Sequence, residues 1–157
     1  MNPALVTYLN DHNAGAKAAL TMIERLAEAH EGQREWLDAL HREISADHET
    51  LRDLMRRLEI PESTLKQVSS WFGERMAAMK LSWESPDRHF HRMEALEMLA
   101  LGILGKYKLW LALADAAPAY PALAQVDFER LKTRALDQHT DVERERVAAA
   151  HVALAER

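Results

Sequence analysis

Between Trp36 and Leu58 the apolar positions keep helical time. Leu37, Leu40, Ile44, Leu51, Leu54 and Leu58 recur so as to line one face of an α-helix. The slot between Ile44 and Leu51 on that face belongs to an acid, Asp47. A carboxylate in the middle of a leucine stripe is the most informative feature of the chain, because it must be paired, hydrogen-bonded, protonated or metal-bound if it is buried.

The same reading predicts four further helices. The first covers about Ala4 to His30, with Leu5, Tyr8, Leu9, His12, Ala16, Ala19, Ile23 and Leu26 on one stripe and Pro3 suited to its first turn. Gly15 and the alanines make a thin section where a neighbour is expected to pack closely. Gly32 is placed to end this helix in the left-handed conformation, and the short loop makes the next helix antiparallel. Pro61 stops the Trp36–Leu58 helix. A weaker helix follows over about Glu62 to Lys80, on Leu65, Val68, Phe72, Met76 and Met79, and then a turn around Ser85-Pro86-Asp87. The fourth, Phe90 to Ala116, is apolar nearly all round and belongs in the middle of a fold. Its Gly102 and Gly105 are expected to permit close backbone approach. They do not make a phosphate loop, since the Gly-Lys pair lacks the spacing and a preceding strand. After Pro118 and Pro121, a fifth helix runs from about Asp127, its N-cap, to Glu156. Phe128, Leu131, Ala135, Val142, Ala149 and Ala153 face inward there, and Gln138, His139 and Arg146 take the middle of that face.

Composition narrows the setting. A chain of 157 residues, 48% hydrophobic and 29% charged, is expected to fold as a single domain over residues 1–157. A net charge of −5 with no basic block argues against nucleic-acid binding. With no cysteine, thiolate chemistry and Cys-ligated metals are excluded. The N-terminus does not read as a signal peptide. The run from Met98 to Gly105 is cut by Lys106, far short of the ~20 residues a membrane span needs. Cytoplasm is the default location, with no membrane association.

The inward-facing polar candidates are His12, Glu43, Asp47, Glu94, Glu97, Gln138, His139 and Arg146. At ~1.5 Å rise per residue in level helices, His12, Asp47, Gln138 and His139 fall within about 10 Å of one another along the bundle axis, with Glu43 and Glu97 nearer the other end and Glu94 beyond. The first expectation is a structural polar-core network of His12, Asp47, Gln138, His139 and Arg146, in which His12, His139 or Arg146 partners Asp47. The alternative is an iron or manganese site with non-standard ligands from His12, Glu43, Asp47, Glu94 and Glu97. The Glu-x-x-His pairs that such bundles use are missing. His89 and His91 read as exposed at the start of the fourth helix.

Four long helices and one shorter connecting helix imply an all-α, ferritin-like up-down bundle, with the short helix carrying the chain from one end to the other. The segments Tyr8-Leu9-Asn10-Asp11-His12 with Gly15-Ala16, Glu43-x-x-x-Asp47-His48 with Leu51, and Glu94-x-x-Glu97-x-x-x-Leu101-Gly102-x-x-Gly105-Lys106 resemble those of uncharacterised bacterial proteins of the ferritin-like superfamily. The resemblance covers most of the chain and implies the bundle, but no activity and no cofactor. Three functional readings follow: a non-catalytic structural or binding module, the non-haem metal protein, and a partner-binding or homodimeric assembly module using the fifth helix and the surroundings of Trp36, Trp71 and Trp83.

Overall fold

The computed structural model describes residues 2–63 and 87–155. Among the described residues it is all helical, with four long helices: α1 (Pro3–Ala29), α2 (Arg34–Arg57), α3 (Arg88–Ala116) and α4 (Phe128–Ala155). The weaker helix expected over residues 62–80 lies outside the described residues except at its start, where Glu62 and Ser63 are not helical. None of the described helices is long and apolar enough to cross a membrane.

Three of the four helices begin where a side chain satisfies a free amide. Asn2 accepts from the Ala4 amide at 3.0 Å, with Pro3 in the first turn. Asp87 accepts from Phe90, and Asp127, as its sequence position suggests, from Arg130, both at 3.0 Å. The α1–α2 junction departs from expectation. Gly32 is not left-handed, and the chain instead turns through a short 3₁₀ segment, Glu31–Gln33. The left-handed terminus belongs to Glu59, φ 55°, at the end of α2. There Ile60 N–H donates to Met55 C=O (2.8 Å) and Glu59 N–H to Arg56 C=O (3.0 Å), a Schellman closure, and Ile60 and Met55 are buried in the same apolar cluster.

Contacts between helix ends fix their directions. Arg88, at the start of α3, donates to the Ala29 carbonyl at the end of α1 (2.7 Å), and Gln33, before α2, reaches Glu145 late in α4 (2.6 Å). At the other end Asn10, early in α1, bonds Pro61 and Ser63 beyond α2. So α1 and α4 run one way and α2 and α3 the other, and α2 ends opposite the point where α3 begins. The pairs α1–α2 and α3–α4 are the principal antiparallel contacts.

The core divides in two. A distal cluster, around the end of α1, joins Met22, Ile23, Leu26, Leu37, Leu40, Ile44, Leu96, Leu99, Ile103 and Val142. A proximal cluster joins Leu9, Leu51, Leu54, Met55, Leu109, Trp110, Leu113, Phe128 and Leu131. His91, expected to be exposed, is buried at 8% exposure. Helix α3 starts earlier than its apolar run suggests, so His91 begins the buried face continued by Ala95, Met98 and Leu99.

Candidate functional site

Between the two clusters lies a polar waist. Asp47, Gln138 and Asn13 are each 2% exposed there. Asp47 holds the α2 slot between Ile44 and Leu51. Facing it, Lys106 takes the corresponding slot on α3 between Ile103 and Trp110, and Gln138 the slot on α4 between Ala135 and Val142. The geometry joins them. The Lys106 ammonium donates to Asp47 Oδ2 and to Gln138 Oε1, and Arg134, one turn before Gln138, donates to Asp47 Oδ1. Gln138 Nε2 donates to Asp47 Oδ2 (3.3 Å) and Glu43 Oε2 (3.1 Å). The side chains of Lys106 and Arg134 are 14% and 27% exposed. Burial pulls the Lys106 ammonium below its ordinary pKa, while the charge and hydrogen bond of Asp47 oppose that shift.

Sequence reasoning brought Asp47 and Gln138 to one level, and the structure bonds them. It did not supply the two cations. Lys106 read as an interruption of an apolar run, although its spacing from Ile103 and Trp110 places it on the buried face. The other expected network members go elsewhere. His12 is half-buried and stacks edge-on to Tyr8, with ring centroids 4.7 Å apart. Arg146 is bound by Glu143, with Oε1 at 2.6 Å, and lies 3.7 Å from Glu97. No bond links His139 to Asp47. Rotation and axial level explain these departures: His139 is about 100° round α4 from Gln138, and Arg146, two turns further along α4, meets the distal part of α3 at Glu97.

The candidate metal ligands are likewise dispersed. Glu43 accepts from Gln138, Glu97 lies by Arg146, Glu94 lies 3.9 Å from His91, and Asp47 is held by cations. Among the described residues no group of three or more His, Asp or Glu could hold a metal ion.

Beside the network is a cavity of about 490 Å³, walled by α1, α2 and α3. Most of its wall is apolar, from Ala16, Ala19, Ile44, Leu51, Met98, Ile103, Leu104 and Leu109, among others, while Asp47, Lys106, His12 and His48 contribute polar groups. Gly15, Gly102 and Gly105 also line it, and a Cβ added at any of these would meet nothing within 4 Å among the described residues. The close backbone approach expected at these glycines is therefore not made by any of the described residues. Burial holds the His12 imidazole below its ordinary pKa, against the pull of Asp11, and burial with Lys17 and Arg52 does the same for His48. In both cavity histidines burial thus favours the neutral imidazole. His48 Nε2 bonds Asn13 Oδ1 (2.7 Å), and Asn13 Nδ2 in turn donates to Glu62 (3.4 Å).

The arrangement can enclose an apolar body against a hydrogen-bonded ion pair. Comparison of the chain with protein-family models, with curated proteins and with solved structures finds no match.

Proposed function

We propose that this chain is a non-catalytic binding module, in a ferritin-like helical arrangement, whose ligand occupies the cavity at its waist. The helix directions support that arrangement, since two antiparallel pairs are joined by a connection between opposite ends. The binding reading rests on one observation: Gly15, Gly102 and Gly105 sit in helix interiors, where glycine costs about 1 kcal/mol each relative to alanine, yet among the described residues no neighbour occupies the space of their missing side chains. Close packing would explain such glycines by contact. Here their effect is to widen an apolar cavity within the roughly 300–1,000 Å³ range of small-molecule sites. The Asp47 network stiffens one wall and supplies its polar end.

The test is saturable binding of the neutral apolar dye Nile red, followed by fluorescence. One site per chain is expected, and Gly102→Leu, which places a side chain in the cavity, should abolish binding while circular dichroism stays that of the parent. Failure of the parent to bind, or undiminished binding by a folded Gly102→Leu protein, overturns the reading.

A further inference from the structure

The charges around the cavity cancel. The waist network joins two acids, Asp47 and Glu43, to two bases, Lys106 and Arg134, with Gln138 bonded to three of the four. Arg134 and Glu43 do not line the cavity. Among the described residues, the acids and bases that do are Asp11, Asp47, Lys106 and Lys108, again two of each sign. Burial favours the neutral imidazole in His12 and His48, so neither tips that balance. A ligand there meets a mostly apolar wall with no net charge.

One donor is left over. An ammonium has three N–H groups, and Lys106 gives two, to Asp47 and Gln138, among the described residues. The Lys106 side chain lines the cavity and keeps 14% exposure, so it is not sealed off from a ligand. Asp47, at 2% exposure, already accepts from Lys106, Arg134 and Gln138 and has little to offer a further cation.

Resting on the binding-module reading, we infer that the ligand is an uncharged, largely apolar molecule with a hydrogen-bond-accepting oxygen that takes the remaining N–H of Lys106. A charged head of either sign would leave water for a site whose charges already cancel, and its desolvation would go uncompensated. A pure hydrocarbon would cover that N–H and leave it without water or acceptor. A hydroxyl or carbonyl oxygen avoids both penalties.

1-Decanol, decanoate and decyltrimethylammonium are titrated into the full chain near pH 7, below micelle formation, with Nile red displacement as the readout. Decanol should bind at least about tenfold more tightly than either charged amphiphile, and the two charged ones should lie within about tenfold of each other. The second comparison reads the charge balance directly, since partition into any apolar space favours the alcohol. Lys106→Met removes the donor and leaves the network with an excess acid. Decanol affinity should then fall at least about threefold, and decyltrimethylammonium should gain at least about tenfold on decanoate. If the dye itself does not bind the parent chain, the cavity reading fails and this one with it. If the dye binds but decanol does not displace it, or a charged head matches decanol, or the charged heads differ by more than about tenfold, the inference of an uncharged ligand alone is overturned. A folded Lys106→Met protein that keeps the parent's decanol affinity, or the parent's balance of charged heads, also overturns it. Should that variant not fold, the order of the three amphiphiles on the parent chain still decides.

Discussion

The two ends of this bundle and its waist obey different rules. At the ends, residues such as Leu26, Leu37 and Leu96, or Leu54 and Leu113, are 1% exposed and belong to the two apolar clusters. At the waist the same helix faces switch to Asp47, Lys106 and Gln138, and beside them the packing opens into the cavity. Close packing is what a protein interior achieves when nothing else constrains it. A waist that replaces leucine with ions and side chains with space sacrifices stability locally, and two continuous apolar clusters on either side make that tolerable. Stability should therefore reside at the ends and recognition between them.

The sharpest way to break this comparison is to unbalance the ions. Asp47→Ala leaves Lys106 and Arg134 buried or half-buried without their carboxylate, and should cost about 3–5 kcal/mol in urea unfolding. Lys106→Met should cost less, because Asp47 keeps Arg134 and Gln138. Asp47→Leu combined with Lys106→Met should recover much of the loss, since removing both charges removes the desolvation problem. An Asp47→Ala protein as stable as its parent would show that the waist is wet and the network immaterial.

A second contrast adds volume instead of removing charge. Ala95 is 0% exposed in the distal cluster, and Ala95→Leu should destabilise by about 1–3 kcal/mol through overpacking. Gly102→Leu, about two turns along the same helix, meets no described neighbour and gains helix propensity, so it should be neutral or stabilising by up to about 1 kcal/mol. The comparison sharpens if the two substitutions have opposite signs, and fails if both destabilise alike.

These contrasts also show where sequence reasoning ran out. Helical periodicity gave all four described helices, with limits within about two residues, and marked Asp47 as inward, because faces and caps are local properties. Pairing between helices is not local. Which residue opposes Asp47 depends on helix rotation and axial level: His139 is one residue, about 100°, round α4 from Gln138, and Arg146 lies two turns beyond it along the axis. A signal was present: Asp47 and Lys106 each interrupt an apolar stripe at mid-helix with opposite sign. The cavity was less legible still. Glycine in a helix serves equally for close approach or for open space, and only the position of the neighbouring helix distinguishes Gly102 from a packing contact.

A smaller effect separates the ends from recognition. Glu59 adopts the left-handed conformation that glycine takes without a Cβ penalty. Glu59→Gly should stabilise the proximal end by roughly 1 kcal/mol in urea unfolding and leave Nile red affinity unchanged. A change in affinity would mean that end and waist are coupled.

The smallest effect concerns a polar strap at the edge of the waist. Glu62 accepts from Lys17 of α1 at 2.9 Å and from Arg52 of α2 at 2.7 Å, with Asn13 at 3.4 Å. The hydrogen bond from Arg52, followed by those from Lys17 and Asn13, holds its carboxyl down at about 2, against a modest opposing effect of burial. A carboxyl depressed in the folded state binds fewer protons there than when unfolded, so its contribution is complete above the ordinary value of 4.5 and is lost as pH falls toward 2. The group is solvent-facing, and screening keeps the effect small. The melting temperature of the parent should thus fall more steeply between pH 4.5 and 2 than that of Glu62→Gln, which has already lost the charge. His48 and the remaining carboxyls titrate in both proteins, so the difference between the two curves isolates the strap. Parallel curves would show that α1 and α2 are held at the waist by packing and the buried network alone.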